Sequence, residues 1–381
     1  RLTRAAIAEL PDGTYSFEDW IDDDGIDVNR PIRLYVTIIK KGDQIHVDWD
    51  GSSEQVKGAI NNTLSFTKAA SYTGIRSILP DGIPNNEGVF RVIDVTAPAG
   101  TIANGVLPAA CAARGLTGFR MVDCMLGALA TMCPDKVCAA SDGGNSGVSI
   151  GGYDANRNPY IYVDFACGTW GGRPWADGLQ GSSNMFANMA SQSVEVIEAE
   201  QPVEILAYEL LPDRAGAGKF RGGAPYYREY RFTEREAVLQ VRTDRSRFRP
   251  YGLYGGQPGQ RSANYLNPEG ANEKLASKPT LNITNGDVFR HELAGGGGWG
   301  DPLERDPDLV CKDVRDELVT AKSAHEKYGV VLTADGRTVD AVATDARRQA
   351  ISTERAWVSP PTVAWDDAGS ANALDAVEYE V

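Results

Sequence analysis

Alternating apolar and polar residues predict a β-hairpin near the start of the chain. One apolar row recurs at every second position from 32 to 38, Gly42 and Asp43 supply a turn, and the alternation resumes from 45 to 49. The preceding segment 2–10 has helical spacing and ends in a Pro-Asp-Gly turn. The chain therefore begins with a helix followed by antiparallel strands.

Three further segments have helical spacing. The stretch 58–79 begins as a loop and continues as a helix that a proline ends. The stretch 107–133 gives the strongest helix prediction, because Pro108 suits a first turn and apolar residues then recur three or four positions apart. A third helix is predicted over 306–328, where an Asp-Pro pair opens the first turn and Gly329 follows the last.

The middle of the chain is predicted to be β-rich. Glycine, aromatic and β-branched residues dominate 137–241, and short apolar runs alternate with glycine turns. We therefore predict an α+β fold, with a β-rich body of mixed and antiparallel sheets and a few packed helices. Its parts would be a hairpin-rich region (1–105), a β-rich body with one long helix and glycine-rich loops (106–300), and C-terminal helices with an acidic tail (301–381).

Composition and charge narrow the class of protein. The chain is 42% hydrophobic and 24% charged, as ordinary globular proteins are. Its net charge of -14 argues against nucleic acid as the main partner. Residues 213–249 are locally basic, which we interpret as a solvated β face or, second, as a surface for an acidic partner.

Cysteine usage and hydropathy indicate a cytoplasmic protein. The six cysteines are scattered without a C-x-x-C pair, which suits reduced thiols. No apolar run reaches the roughly 18 residues of a membrane span, and no signal-peptide pattern opens the chain. We expect no membrane partner.

Enzyme signatures with a known mechanism do not fit this sequence. The stretch 213–220 resembles a phosphate loop but has Asp213 in place of the first glycine and Phe220 in place of the hydroxyl that binds magnesium. The glycine run 295–300 satisfies G-x-G-x-x-G, as any glycine run does, but strands and helices do not alternate around it. The three histidines have no metal-ligand spacing. The chain shows no self-contained catalytic set.

Two glycine-flanked loops hold the remaining candidate groups. The loop SDGGNSG carries Asp142 and Asn145, and the loop CGTWGGRPWADG carries Arg173 and Asp177, with Asn184 soon after it. Glycine lets backbone approach a ligand and lets main-chain amides reach an anion. The alternative is structural: tight turns packed on tryptophan, with Arg173 paired to Asp177. The residues alone leave both interpretations open.

Five blocks, in one order, resemble the B-type subunit of the hydantoinase/oxoprolinase family. They are DWDGSSEQVKGAINNT, PAACAARGLTGFRMVD, GTWGGRPWADGLQGSSNMFAN, SVEVIEAEQPVEILAYELLPDRAGAGKFRGG and ELAGGGGWGDPLERDPDLV. The resemblance implies an A-type partner subunit that binds ATP and phosphorylates the amide or carbonyl oxygen, while the B-type subunit acts on the activated small-molecule substrate. It also implies that the glycine run is packed inside the folded body, and that no phosphate loop is expected in this chain.

The resemblance favours one function and leaves two others open. The favoured function is a B-type subunit, or a fragment of one, in an ATP-dependent amidohydrolase that opens a hydantoin, 5-oxoproline or a lactam. The first alternative is a subunit of an acetone- or acetophenone-type carboxylase, and the second is a non-catalytic scaffold subunit.

The resemblance gives the candidate residues roles. Arg173 would hold a phosphorylated or anionic intermediate through its planar donor fork. Asn145 would offer a hydrogen bond, with Asp142 and Asn184 as further substrate contacts. Asp177 would be catalytic, either orienting Arg173 or relaying a proton.

The resemblance also implies a divalent metal, such as Zn or Mn. Family B-type subunits are longer, and their metal-binding segment lies upstream of the part that this chain resembles. Because the chain opens on Arg1, we expect that this upstream half is a separate chain, was cleaved or was left out, or that this version of the subunit has lost the chemistry. A metal activates water only where ligands hold it, so we expect residues 1–381 alone to be inactive.

Overall fold

The structure is a computed structural model that describes residues 1–144, 146–154 and 156–354 and the backbone of 363–364. Mixed and antiparallel sheets combine with packed helices, which confirms the predicted α+β class. The helices are α1 (Leu2–Ala8), α2 (Leu64–Ile78), α3 (Glu87–Phe90), α4 (Arg114–Met132), α5 (Val194–Glu200), α6 (Pro307–Arg315), α7 (Ala321–Lys327) and α8 (Ala341–Glu354), with a short 3-10 helix at Pro302–Glu304. The strands are β1 (Gly13–Ile21), β2 (Ile32–Lys41), β3 (Gln44–Asp48), β4 (Ile93–Thr96), β5 (Ser146–Tyr153), β6 (Pro159–Ala166), β7 (Val203–Leu210), β8 (Tyr226–Phe232), β9 (Glu236–Arg242), β10 (Gly252–Leu253), β11 (Ala263–Leu266), β12 (Glu273–Leu275), β13 (Thr280–Thr284), β14 (Val288–Glu292) and β15 (Val363–Ala364).

The N-terminal layer is a four-stranded sheet in the order β1-β2-β3-β4, with α4 packed on β1 and β2 and α2 packed on α4. The predicted hairpin is confirmed, because β2 and β3 pair antiparallel with Thr37 opposite Asp48. Alternate residues of these strands are buried, and they form one apolar core with the inner faces of α2 and α4. The period-two pattern in the sequence therefore reports the buried side of this sheet.

Two antiparallel sheets form the β-rich body. One has the order β13-β9-β5-β6 and the other β12-β11-β14-β8-β7. Their buried side chains share one apolar cluster, in which Val148 and Ile150 of β5 meet Tyr230 of β8 and Phe289 of β14. The loop after β6 and the segment before β5 leave this body next to α4 and help to form the cleft described below.

Two predicted helices differ from the structure. The helix predicted over 107–133 begins at Arg114, because the preceding segment is held outside the helix by the Asn61 side chain, which donates to the Ala110 carbonyl at 2.9 Å. The helix predicted over 306–328 is two helices, α6 and α7. It breaks because the Thr320 side chain caps α7 and is itself bound by Asp213 at 2.7 Å. The predicted stop at Gly329 is confirmed by its φ of +63°.

The glycine run is packed against other backbone. Every main-chain amide from Gly295 to Gly300 donates to a carbonyl of another segment, at N···O distances of 2.8 to 3.1 Å. A Cβ at Gly296 would lie 2.1 Å from the carbonyl oxygen of Trp170, and one at Gly297 would lie 1.9 Å from that of Tyr251. Only glycine allows this approach, and no amide of the run is left for a phosphate.

Three further predictions concern the division of the chain into parts, the acidic tail and the basic segment 213–249. The three-part division stays a prediction; α4, which it assigns to the second part, packs on the sheet of the first. The predicted acidic tail, 365–381, lies outside the described residues. The solvated basic face is wrong for Arg221, Arg228 and Arg245, which are buried and paired with carboxylates.

Candidate functional site

A cleft of about 740 Å³ opens between α2 and the loop that follows β6. Aromatic and aliphatic side chains form most of its wall: Tyr72, Phe90, Leu126, Trp170, Trp175 and Met185. Tyr72 and Phe90 stack with ring centroids 4.5 Å apart, and Trp170 is fixed by a hydrogen bond from its indole to the Ser183 carbonyl at 2.6 Å. A largely apolar cleft with a few polar groups is the common form of a small-molecule site.

Arg173 lies in the wall of this cleft. Its Nε and Nη2 donate to the main-chain carbonyl of Asp177 at 3.1 and 2.6 Å, and its own amide donates to the Ala176 carbonyl at 2.9 Å. The turn therefore fixes the guanidinium group through backbone. No carboxylate of the described residues forms an ion pair with Arg173, and Nη1 keeps its N–H groups for a ligand.

Two other cations line the cleft. Arg76 is occupied, because its guanidinium group donates to the Asn85 side chain at 2.9 Å and to main-chain carbonyls after α2. Lys136 is exposed on the turn after α4, and among the described residues its ammonium group has one hydrogen bond, to the Ile78 carbonyl at 3.5 Å. The lining contains no acidic residue within the described part of the chain. Burial raises the pKa of the nearby Cys138 thiol to about 12, so that thiol is not a nucleophile at neutral pH.

The carboxylate of Asp177 is held by an arginine behind the cleft. Arg305, which is 1% exposed, donates from Nη1 and Nη2 to the two Asp177 oxygens at 2.6 and 2.7 Å, and the Arg221 amide adds a bond at 2.8 Å. Burial opposes ionisation, but the bonds and charge of Arg305 outweigh it, and the pKa of Asp177 lies below its usual value. Asp177 therefore orients Arg173 through its carbonyl, while its carboxylate is ionised and fully engaged.

Asp142 and Asn184 lie buried beside the cleft wall. The two glycine-flanked loops run side by side, with the Asp142 amide bonded to the Thr169 carbonyl at 3.1 Å. Asn184 Nδ2 donates to Ser141 Oγ at 2.8 Å, and Ser141 Oγ donates to Asp123 at 3.0 Å. The structure thus brings both predicted loops together, but neither Asp142 nor Asn184 lines the cleft.

The Asp142 carboxylate is buried, and neither of its oxygens has a hydrogen-bond partner among the residues that the structure describes. Burial, followed by the negative charge of Asp123, raises its pKa to about 8. The amides of Gly144 and Thr169 lie near enough to favour the ionised form, but neither reaches hydrogen-bond geometry, so burial dominates. Asp142 is therefore a neutral acid over much of the neutral pH range.

Behind these loops lies a layer of paired charges, which we call the buried charge layer and define as Asp19, Arg120, Asp123, Asp244 and Arg245. Arg120 donates to Asp19 at 3.3 Å and to Asp244. Arg245 donates to Asp123 at 3.0 Å and to Asp19 at 3.3 Å. All five side chains are at most 1% exposed. The layer joins β1 and α4 to the segment after β9.

A family model described as hydantoinase B/oxoprolinase matches residues 1–302. The chain belongs to this family. It is 33% identical to the putative B-type subunit of a D-/L-hydantoinase from Pseudomonas sp. (strain NS671), over 92% of its own length and 60% of that protein.

Two solved structures are similar to this hydantoinase B/oxoprolinase chain. The ATP-dependent caprolactamase from Pseudomonas jessenii matches 91% of the chain with a TM-score of 0.79 and 26% identity, covering 62% of the other chain. A nucleotide-free acetone carboxylase matches 93% of the chain with a TM-score of 0.79, covering 54% of the other chain, and at 18% identity it shows the fold alone. The chain therefore spans about three fifths of the length of the hydantoinase subunit and of the caprolactamase chain, and about half of the acetone carboxylase chain.

The residues present do not fit the divalent metal that the family resemblance implies. Within 1–144, 146–154 and 156–354, no group of three or more His, Cys, Asp or Glu side chains could hold a metal ion. The buried carboxylates of the charge layer face guanidinium groups instead. In the same ranges no helix is long and apolar enough to cross a membrane.

The sequence-predicted residues thus have different positions in this hydantoinase B/oxoprolinase chain. Arg173 lines the cleft, Asp177 holds it in place, and Asp142 and Asn184 are buried beside it. Asn145 lies outside the described residues. The sequence did not indicate Lys136, Tyr72 or Phe90, because lysines usually lie on the surface and aromatic residues usually pack in the core. The acidic run at 18–24 was the available signal for the buried charge layer.

Proposed function

We propose that this chain is the B-type subunit, or part of one, of an ATP-dependent amidohydrolase that opens a cyclic amide such as a hydantoin, 5-oxoproline or a lactam. ATP is held by an A-type subunit, which phosphorylates the amide oxygen, and the B-type subunit takes the activated substrate to hydrolysis. Per turnover, one cyclic amide, one ATP and two water molecules give ADP, phosphate and the ring-opened acid. The C–N bond of the ring breaks, and its nitrogen leaves with a proton from water.

One observation carries the proposal: the match to ATP-dependent caprolactamase along 91% of the chain. The hydantoinase relative, which is itself named as a subunit, supports a partner chain. The divalent metal would come from the upstream half of the B-type subunit, as part of a longer chain or as a separate one, or from the partner. The six cysteines are free, which fits a cytoplasmic complex.

Arg173 is the residue of this chain that we place against the activated substrate. Phosphorylation puts negative charge on oxygen atoms attached to the amide carbon. A guanidinium group already fixed by the Asp177 carbonyl donates to such oxygens with little loss of side-chain freedom. Asp177 is a positioning residue in this proposal, since its ionised carboxylate is engaged by Arg305 and does not relay a proton.

Reconstitution tests the proposal. The chain is co-expressed with its A-type subunit and the upstream half of the B-type subunit, and ADP release is measured with hydantoins, 5-oxoproline or lactams, or with acetone or acetophenone plus bicarbonate. We expect ADP release that depends on a cyclic amide. Release that requires a ketone and bicarbonate would instead select the carboxylase. Turnover that is unchanged by substitutions in the loop 168–178 would assign the chain a scaffold role.

A further inference from the structure

The charge of the cleft is opposite to that of the chain. The protein carries a net charge of -14, yet the ionised side chains that line the cleft are Arg76, Lys136 and Arg173, with no acid among the lining residues that the structure describes. The two neutral titratable groups, Tyr72 and Cys138, stay protonated at neutral pH because burial raises the pKa of each. The charged side chains that line the cleft are therefore all positive, although the protein is acidic overall.

Two of the three cations have donors to spare. The Arg76 guanidinium group is used by the turn after α2, so it contributes charge but no bond. Lys136 has a single contact, at 3.5 Å, within the described residues, and Arg173 retains Nη1. An unpaired cation beside an apolar wall binds an anion more strongly than it does in water, since the low dielectric of the wall strengthens the attraction.

The other wall is apolar and aromatic. Trp175 is 62% exposed, and the stacked pair of Tyr72 and Phe90 also lines the cleft, together with Leu126 and Met185. A volume of about 740 Å³ exceeds the need of an unsubstituted five-membered ring. The cleft thus offers room and apolar contact to a large substituent.

We infer that the cleft binds an organic anion with an aromatic or large aliphatic body, whose acidic group lies between Lys136 and Arg173 and whose body packs on Trp175. This inference rests on the proposed function, which supplies two sources for such an anion. One is a substituted cyclic amide in its phosphorylated form, and the other is the ring-opened acid that it yields. The shared chemistry is an anionic group next to a bulky apolar substituent.

Binding to the full 381-residue chain tests the inference without turnover. The probes are N-carbamoylphenylalanine, its neutral primary amide and N-carbamoylglycine, followed by tryptophan fluorescence and calorimetry. We expect the aromatic acid to bind at least about tenfold more tightly than its amide, as one charge-assisted hydrogen bond allows. N-carbamoylglycine should bind at least about tenfold more weakly than the aromatic acid, because it lacks the apolar body.

Variants of the cleft residues test which side chains contact the ligand. Lys136→Gln and Arg173→Gln should each weaken the aromatic acid about tenfold and leave its amide within about twofold. Trp175→Ala should weaken acid and amide alike. Arg235→Gln, an exposed arginine on the turn between β8 and β9, is the matched control and should change neither. Melting temperatures within about 2 °C of wild type show that each variant is folded.

Three results would overturn the inference: equal affinity for acid and amide, no binding of either probe up to about 10 mM, or unchanged acid affinity in both cation variants. Phosphorylated substrate and ring-opened acid are separated by rapid-quench analysis of the species bound to the reconstituted complex after mixing with ATP and a substituted hydantoin, since the phosphorylated substrate forms only when ATP transfers its γ-phosphoryl group. Binding that follows the pattern above while the complex shows no amide-dependent ADP release would refute the proposed function and leave the inference standing.

Discussion

The cleft and the buried charge layer share α4 and the segment 138–142, yet they treat charge in opposite ways. In the layer, Arg120 and Arg245 each face two carboxylates within 3.3 Å and are removed from solvent. In the cleft, Arg173 is held by a main-chain carbonyl and pairs with no carboxylate of the described residues. The difference shows that this protein uses paired charges for structure and leaves unpaired cations where an anion can reach them.

The largest effect is expected from breaking the layer. Arg120→Ala removes the guanidinium group that binds both Asp19 and Asp244 and leaves only Arg245 and Lys278 beside these buried carboxylates, so the free energy of unfolding at pH 7 should fall by about 3–5 kcal/mol. Urea unfolding measures this. Arg235→Ala, at an exposed site, should change stability by less than about 0.5 kcal/mol. A loss below about 1 kcal/mol for Arg120→Ala would show that the layer is not structural.

Asp177 lies next to the cleft, but its carboxylate is paired with an arginine, as the carboxylates of the buried charge layer are. Asp177→Asn removes the carboxylate that Arg305 binds with two bonds, while Asp313 still pairs with Arg305 at 2.8 Å. We expect a loss of about 1–3 kcal/mol in unfolding free energy and an unchanged pH profile of turnover. If the fall in turnover on the acidic or the basic side of the pH profile disappears in the variant, Asp177 is a proton relay. That result would contradict its assignment as a positioning residue.

Asp142 extends the comparison to a carboxylate that is buried and has no ion-pair or hydrogen-bond partner within the described part of the chain. Its pKa is about 8 in the folded protein and about 4 when unfolded, so the folded state loses stability as pH rises through this window. Asp142→Asn removes this loss. The stability gained by the variant should be near zero at pH 4 and reach at least about 1 kcal/mol at pH 8. Asp345→Asn, exposed on α8, serves as the control, and a pH-independent difference for Asp142→Asn would contradict the account.

The smallest effect on stability is expected in the cleft. Arg173→Gln removes a half-buried cation with no carboxylate partner among the described residues, and its turn keeps the bond between the Arg173 amide and the Ala176 carbonyl. The free energy of unfolding should change by less than about 1 kcal/mol. Thermal and urea unfolding at pH 7 measure this, and a loss near that of Arg120→Ala would place Arg173 with the structural charges.

Sequence patterns predicted the elements whose structure depends mainly on residues close by in the chain. The period-two rows gave the β2–β3 hairpin, and Gly329 gave the end of α7, because each depends on neighbours in the chain. The start of α4 was missed because Asn61, 49 positions before Ala110, holds the preceding segment. Long-range contacts of this kind leave no mark on periodicity.

The site was predictable only in part, for the same reason. Glycine-flanked loops pointed to Arg173 and Asp177, but the arginine that binds Asp177 lies 128 positions away in sequence. The partners of Asp19 are similarly remote, Arg120 at 101 positions and Arg245 at 226. Which charges are paired and which remain available is decided by these contacts, and it separates structural from ligand-binding residues.

The most direct test compares turnover of the reconstituted complex carrying Arg173→Gln with that of wild type and of the Arg235→Gln control, measuring ADP and ring-opened acid together. The account predicts equal amounts of the two products in wild type and control, and a fall in kcat/KM of about 10- to 100-fold in Arg173→Gln with unfolding free energy preserved. Unchanged kcat/KM in a folded Arg173→Gln complex would contradict it.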